Sequence, residues 1–357
     1  MLVLDSGNAL VRKKGWSQKP DAAELARRKA RADLVLRFLV NEQAHALNLG
    51  PQDLMLGLRL IRKLVAQTHA PVISSNILNR HGKRVFPAGS LVTIDGVTIG
   101  LVGATWLSRS EKLKPSANVK LANPDETVPK AVADLKAKGA TLFILLAAMD
   151  VGRARNIMNK VPEIALSVVS GRGGWLFRPQ KADHGYIIGT PPGGKYIGVA
   201  ELHIVGNDLH FQDLSQVTFL KTRIAGMLGT WKRYEDRAKT AKGPTHRRYE
   251  RRAQSLRRAV LNMLKSLRKA AAGHVTGSYL LSSVLPLGVS LKDESTVKAM
   301  VDQVKKTYKI DDLHSRRRVF PNALRKRNIR RISKSRIHRL KGASHLRHPI
   351  RRLKPHR

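Results

Sequence analysis

The sequence predicts a layered α/β protein, and three observations lead to that class. Apolar, β-branched segments alternate with amphipathic helical segments over residues 1–212. Over residues 217–269 the apolar residues recur every three or four positions, which indicates helices. The final residues are rich in arginine and contain no aspartate or glutamate. We therefore divide the 357-residue chain into an α/β domain (1–212), a helical extension (213–312) and an Arg-rich tail (313–357).

The first half of the α/β region is predicted to contain three strands and two helices. The opening MLVLDSG is typical of a buried strand, and amphipathic helices follow at 21–48 and 54–67. Segments rich in β-branched residues predict strands at 70–78 and 96–105.

The second half is predicted to contain one helix and then mostly strands. The helix covers 128–139 and ends at Gly139, a typical C-terminal residue. The predicted strands are 140–149, 164–171, 184–190 and 196–211, the last with a turn at Gly206–Asn207.

The segment GTPPGGKY (189–196) resembles a phosphate-binding P-loop, but two features argue against that function. Tyr196 stands where a P-loop has the Ser or Thr that holds magnesium, and a strand follows in place of a helix. We interpret the segment as a tight hairpin turn.

The helical extension is predicted to be a hairpin or short coiled coil. Its apolar residues keep helical spacing on both sides of the break AKGPT, and its outer faces are basic. A further helix is predicted at 293–308. The tail has no sustained period and few apolar residues, so we expect it to be disordered in isolation.

The charge is strongly basic, with 67 Lys and Arg against 25 Asp and Glu. Such a field favours polyanions, so nonspecific nucleic acid or an acidic partner is predicted to bind through 313–357. Phe320 is the only aromatic residue there, so the binding would be electrostatic. An alternative interpretation is that this composition results from a shifted reading frame.

Other chemistries and locations are limited by composition. Without cysteine the chain forms no disulfides and has no thiolate chemistry. No run of 18 apolar residues predicts a membrane span, and the apolar-then-basic start is the reverse of a secretory signal, so a cytoplasmic chain is expected. The histidines of the α/β region lack metal-ligand spacing, and we interpret them as surface or capping residues.

The α/β segments, taken in order, resemble the N-terminal domain of bacterial 5'-nucleotidases, which are calcineurin-like metallophosphoesterases. The segments are LVLDSGN, ALNLGPQDLMLGLRLI, APVISSNILNRHGKRVFP, GVTIGLVGAT, GATLFILLAAMD, VPEIALSVVSGRGG and GKYIGVAELHI. The resemblance covers about 1–212 and implies a layered β-sandwich flanked by helices. It also implies a pair of divalent metal ions, Mn, Zn or similar, that activates water against a phosphoester, and a typically periplasmic location.

At the family's first ligand positions this sequence has other residues. The bridging aspartate of the Gly-Asp motif falls at Asn8. The Gly-Asn-His-Asp/Glu motif falls on Gly50–Asp53, with Pro51 for the ligand asparagine and Gln52 for the catalytic histidine. The opening Asp-x-His has no counterpart, so the sequence is expected to begin at the family's second strand.

The family's later ligand positions also differ. The histidine expected after LFILL falls in Ala147–Ala148. The Gly-His-x-His motif falls on Gly171–Gly174, with Arg172 and Gly174 at the histidine positions. No catalytic residue is therefore assigned, and Asn8 and Asp53 are vestigial metal positions.

Three functions follow as hypotheses. The first is a 5'-nucleotidase-like protein without a complete two-metal site, in which Arg172 and the backbone of Gly171 and Gly173 bind a phosphate-bearing small molecule. For Arg172 the alternative is a capping or ion-paired arginine, and for Asp53 it is a helix cap. The second function is an active metal-dependent nucleotide hydrolase. The third is a polyanion-binding protein that acts through its basic extension.

Overall fold

The structure is a computed structural model that describes residues 1–11, 21–107, 118–170, 176–191, 193–271, 277–287 and 293–308. The Arg-rich tail and the predicted anion-binding residues Gly171, Arg172 and Gly173 lie outside these ranges. Contacts group Met1–Tyr308 into one unit.

The described residues form seven α-helices and one short 3-10 helix. The 3-10 helix is Asp53–Leu56. The α-helices are α1 (Ala22–Asn41), α2 (Leu58–Thr68), α3 (Pro124–Lys136), α4 (Val151–Lys160), α5 (Ser215–Thr240), α6 (Gly243–Ala271) and α7 (Ser295–Tyr308).

The described strands form several sheets. They are β1 (Leu4–Asp5), β2 (Ala46–Leu47), β3 (Ile77–Asn79), β4 (Gly89–Ile94), β5 (Val97–Thr105), β6 (Val119–Leu121), β7 (Leu142–Ala148), β8 (Ile164–Val169), β9 (Gln180–Lys181), β10 (Tyr186–Gly189), β11 (Tyr196–His203), β12 (Gln212–Asp213) and β13 (Tyr279–Pro286).

The largest sheet has six strands in the order β4-β5-β7-β8-β10-β9. Its four central strands are parallel, and β4 and β9 are antiparallel edges. The side chains of β7 alternate between two cores. Phe143 and Leu145 pack with α3 and α4, whereas Leu142 and Ile144 face the smaller sheets. Because both faces of β7 are covered, its sequence is a continuous run of apolar residues.

The smaller sheets form a second layer. β1 and β2 are parallel, β3 and β6 antiparallel, and β11, β13 and β12 form a three-stranded sheet. On the far side of β2, Leu47 packs with Leu36 of α1 and Ile61 of α2. The order of layers is therefore helices, large sheet, smaller sheets and helices, which confirms the predicted layered α/β sandwich.

Helices α5 and α6 form the predicted helical hairpin. Leu220 and Ile224 of α5 and Leu256 and Val260 of α6 are buried. The spacing of these residues places them on the inner faces of the two helices, so packing between the helices stabilises the hairpin. A coiled-coil geometry stays a prediction. Among the described helices, none is long and apolar enough to cross a membrane.

Three predicted boundaries were wrong. The first helix ends at Asn41 rather than residue 48, because Gln43 adopts a positive φ of 53° and the chain turns into β2. The second predicted helix is interrupted at Gly57, whose φ of 86° separates the 3-10 helix from α2. The predicted strand 70–78 is reduced to one bridge at Val72 and the short β3.

Two other sequence-based expectations need revision. The prediction of a hairpin at 189–196 was wrong, because the strands on either side, β10 and β11, belong to different sheets. Strand β13, which the sequence analysis did not predict, pairs along its full length with β11. This pairing crosses the boundary placed near residue 212, and the division into 1–212 and 213–312 stays a prediction.

Candidate functional site

The candidate site lies where several strands end. β1 leads into Ser6–Asn8, and the parallel β2 leads into the loop that ends at Asp53. β5 ends at Thr105, and β8 is followed by Ser170. In α/β proteins this edge of the strands is the usual place for a ligand site. Hydrogen bonds connect all of these loops.

Asp53 is the centre of the site and is buried, with 1% of its surface exposed. Its Oδ2 accepts hydrogen bonds from the backbone N–H of Asn8 at 2.6 Å and of Gly50 at 2.8 Å. Its Oδ1 accepts from the backbone N–H of Leu10 at 2.9 Å. The carboxylate thus joins the loop after β1 to the loop after β2. The alternative that Asp53 caps a helix was wrong, because Asp53 is the first residue of the 3-10 helix and Gln52 is its N-cap.

Asn8 contacts the same two loops and a third one. Its Nδ2 donates to the carbonyl oxygen of Ser170 at 3.1 Å, and its Oδ1 accepts from the backbone N–H of Gln52 at 3.0 Å. Its φ is 68°, a left-handed conformation that asparagine tolerates better than most residues. The structure therefore brings Asn8, Gln52 and Asp53 together.

Two glycines permit this close packing. A Cβ on Gly7 would lie 2.6 Å from the backbone nitrogen of Gly50. A Cβ on Gly50 would lie 2.1 Å from Oδ1 of Asn8. Only residues without a side chain fit at these positions, which explains the glycine of both motifs.

Polar side chains beneath the loops were missed by the sequence analysis. The Nδ2 of Asn48 donates to Ala104 at 2.8 Å and to Leu146 at 3.0 Å, and so ties the loop after β2 to β5 and β7. Asn76 and the backbone of Thr105 exchange two hydrogen bonds. The signal was present in the sequence, because each asparagine follows an apolar segment, in ALNLG and in VISSN.

Burial is the largest cause of the pKa shifts of the two aspartates in the site. Burial raises the pKa of Asp53 from 3.8 to about 7, although its three N–H donors act in the opposite direction. Burial also raises the pKa of Asp5, whose Oδ1 accepts from the N–H of Gly7 at 2.7 Å. The negative charge of Asp5 adds to the upward shift at Asp53.

The described residues at the family's ligand positions do not fit a metal pair. Asn8 offers one neutral oxygen, which already accepts a hydrogen bond. Ala147 and Ala148 are fully buried within β7 and carry no donor atom. Beyond that strand, Asp150 caps α4 by accepting from the N–H of Arg153. Among the described residues, no group of three His, Cys, Asp or Glu is arranged to hold a metal ion.

Comparison with known proteins gives matches among solved structures alone. No protein-family model and no curated protein matches the sequence. Calcineurin-like phosphoesterase YfkN from Bacillus subtilis is 12% identical over 86% of this chain and 83% of its own, with a TM-score of 0.50. Sulfate thiohydrolase SoxB from Thermus thermophilus is 20% identical over 56% of this chain and 35% of its own, with a TM-score of 0.48.

A third match is a 5'-nucleotidase precursor from Thermus thermophilus. It is 18% identical over 57% of this chain and 42% of its own, with a TM-score of 0.45. This chain thus matches less than half the length of SoxB and of the nucleotidase precursor. The similarity to YfkN extends over most of both chains and shows that this chain has the calcineurin-like phosphoesterase fold, as the sequence predicted.

Proposed function

We propose that this chain is a non-hydrolysing protein of the calcineurin-like phosphoesterase fold. One observation carries the proposal. Both carboxylate oxygens of Asp53 and both polar atoms of the Asn8 side chain are engaged with backbone groups of neighbouring loops. At residue 8, where the family has its bridging aspartate, both polar atoms of the side chain are therefore used in protein hydrogen bonds. Asp53, the last residue of the motif that supplies the ligand asparagine, is engaged as well.

The direction of these hydrogen bonds opposes cation binding. Three N–H groups point at the oxygens of Asp53, and their positive ends would face a cation placed there. A divalent ion also requires carboxylate, imidazole or similar donors, whereas Asn8 and Gln52 supply neutral amides. To bind a metal, Asp53 would have to give up its N–H donors. Each donor left unsatisfied in a buried site costs about 1–3 kcal/mol.

An activity assay tests this proposal. We expect the purified chain to release no phosphate from AMP or p-nitrophenyl phosphate above the protein-free rate, with Mn²⁺ or Zn²⁺ in excess. Asp53→Ala serves as the matched control, because contaminating phosphatase activity would be the same in both preparations. Metal-dependent hydrolysis present in the wild type and absent in Asp53→Ala would establish an active hydrolase and overturn the proposal.

Binding without hydrolysis is the function proposed for the adjoining segment, residues 171–173. Ser170 follows β8 and accepts from Asn8, and the next residues are Gly171–Gly173. The guanidinium of Arg172 and backbone N–H groups are suited to a phosphate-bearing small molecule. Binding of inorganic phosphate should be lost in Arg172→Ala. Unchanged binding in that variant would reject this part of the proposal.

A second candidate function, polyanion binding, is favoured by the outer face of α6. Between residues 247 and 258 of this helix six arginines are exposed, whereas the whole helix has a single acidic residue, Glu250; the six are Arg247, Arg248, Arg251, Arg252, Arg257 and Arg258. In the described part of the chain none of the six forms an ion pair with an acidic side chain. A surface of this kind binds phosphate backbones through charge alone.

Salt dependence tests the second candidate. The affinity for a duplex oligonucleotide should fall steeply as salt rises. In a plot of the logarithm of affinity against the logarithm of salt concentration, the slope should become shallower when four of these arginines are changed to glutamine. It should also become shallower when residues 313–357 are deleted. A slope that neither change alters would reject polyanion binding by the extension.

A further inference from the structure

A basic groove lies between α2 and the turn that follows β3. It has a volume of about 520 Å³, and Arg59, Arg62, Lys63, Arg80 and His81 line it. We propose that this groove binds a small anion with two or more linked phosphate groups. The site is separate from the Asn8–Asp53 network, because the two share no residue.

Three of the cations come from one helix. Arg59, Arg62 and Lys63 are exposed on α2, and spacings of three and four residues place Arg59 beside both of the others. Like charges at these spacings repel each other and destabilise a helix. Within the described ranges none of the three has an acidic partner, and a bound anion would remove this repulsion.

The opposite wall is a turn held in a fixed conformation. The Oδ1 of Asn79 accepts from the backbone N–H of His81 at 2.9 Å and of Lys83 at 3.0 Å. Gly82 has a φ of 78°, which the turn needs and which glycine adopts without strain. This backbone conformation places residues 80 and 81 at the edge of the groove.

The side chain of Arg80 keeps hydrogen-bond donors for a ligand. The Nε of Arg80 donates to Nε2 of His81 at 2.8 Å, so the two terminal nitrogens of Arg80 are left for other acceptors. Arginine binds phosphate through two parallel N–H groups, whereas lysine acts as a point charge. The groove therefore combines both kinds of phosphate contact from two separate elements.

The charge and size of the groove indicate the ligand class. No described lining residue is a carboxylate. Four permanent cations exceed what a single phosphate group requires, which favours linked phosphates. The volume lies within the range of about 300–1,000 Å³ that is typical of small-molecule sites. We therefore assign the groove to a free oligophosphate rather than to a nucleic-acid backbone.

Calorimetric titration of the full chain with tripolyphosphate at physiological salt tests the assignment. We expect Arg62→Ala/Lys63→Ala to weaken binding at least tenfold, and Arg80→Ala, on the other wall, to weaken it as well. The matched control is Lys130→Ala/Lys138→Ala, which removes two exposed cations on and next to α3. The control should bind within twofold of the wild type. The altered side chains are exposed, and thermal unfolding of each variant verifies that the fold is kept.

Two results would overturn the assignment. Equal affinity in the groove variants and the wild type would show that tripolyphosphate binds elsewhere, for example on α6 or in residues 313–357. A loss of affinity for a single-stranded oligonucleotide without a loss for tripolyphosphate would assign the groove to nucleic acid. Neither result depends on metal binding or hydrolysis, so this test can fail while the proposed function stands.

Discussion

The backbone N–H of Asn8 donates to Oδ2 of Asp53 across 2.6 Å, and this hydrogen bond joins the loops after the two parallel strands β1 and β2. In the family that the sequence resembles, residue 8 corresponds to the bridging metal ligand, and Asp53 is the last residue of the motif that supplies another ligand. Here they contact each other through the backbone and are closed to solvent on the Asp53 side. The site thus contributes to the stability of the fold.

Replacing Asp53 with alanine should strongly destabilise the protein. The substitution leaves the N–H groups of Asn8, Leu10 and Gly50 without their acceptor. A loss of about 3 kcal/mol or more in the free energy of unfolding is expected, since each buried unsatisfied donor costs about 1–3 kcal/mol. Urea unfolding followed by circular dichroism measures the change. Asp183→Ala, at an exposed position, should stay within about 0.5 kcal/mol of the wild type.

The stability of the protein should depend on pH through Asp53. Its pKa is about 7 in the folded protein and near 3.8 when unfolded, so between these values the folded state holds a proton that the unfolded state has released. The contribution of Asp53 to the free energy of unfolding therefore falls as pH rises from 3.8 to about 7.

The comparison of wild type with Asp53→Asn isolates this effect. For the wild type, the free energy of unfolding in urea should be lower at pH 8 than at pH 5, by on the order of a few kcal/mol. The difference should be smaller in the variant. If the free energy of unfolding changed equally between pH 5 and pH 8 in the two proteins, Asp53 would be ionised at both pH values.

Restoring the family's aspartate at residue 8 should destabilise the chain rather than repair it. In Asn8→Asp the new carboxylate would face the carbonyl oxygen of Ser170, which now accepts from Nδ2 of Asn8. Aspartate tolerates the φ of 68° as asparagine does, so the charge is the main change. A loss of about 2 kcal/mol is expected at pH 8, and less at pH 5 where the carboxyl can protonate.

The control for this substitution is Asn118→Asp. Asn118 has the same left-handed conformation, with a φ of 51°, but its side chain is exposed, so the stability of this variant should change little. If Asn8→Asp were as stable as the wild type and bound Mn²⁺, the site would be one substitution away from a metal centre, contrary to our account.

Strand β13 should be essential to the fold of the preceding domain. Leu280 is fully buried in the core between the large sheet and the three-stranded sheet that contains β13, so Leu280→Ala is expected to cost about 2–5 kcal/mol. Leu287, just beyond the strand, is 43% exposed, and Leu287→Ala should have little effect. Similar stabilities of the two variants would indicate that β13 is dispensable and would support an independent domain ending near residue 212.

Much of the fold could be predicted from the sequence because the patterns of apolar residues that indicate strands and helices lie within short segments. The buried strands β5 and β7 are continuous apolar runs, and α5 and α6 keep helical spacing over long segments. Order and spacing of motifs then indicated the fold family. The residues Asn8, Gln52 and Asp53 were singled out by the same motifs, and the structure places them together.

The rest depended on contacts that are distant in sequence. Whether residues 46–47 continue a helix or form a strand is decided by pairing with Leu4–Asp5. Strand β13 pairs with a partner about 80 residues earlier, which no local pattern reveals. The buried roles of Asn48 and Asn76 likewise depend on carbonyl groups of other strands. The groove on α2 was missed because its cations come from two separate segments.

The metal content of the purified protein distinguishes a protein without the metal pair from a metal-dependent one. The full chain is incubated with excess Mn²⁺, desalted, and analysed by mass spectrometry of the metal, with Asp53→Ala treated in parallel. Our account predicts near-zero manganese per chain in both proteins, because Asp53 and Asn8 are committed to backbone hydrogen bonds. Two tightly held ions per wild-type chain, lost in Asp53→Ala, would contradict it and establish a two-metal site.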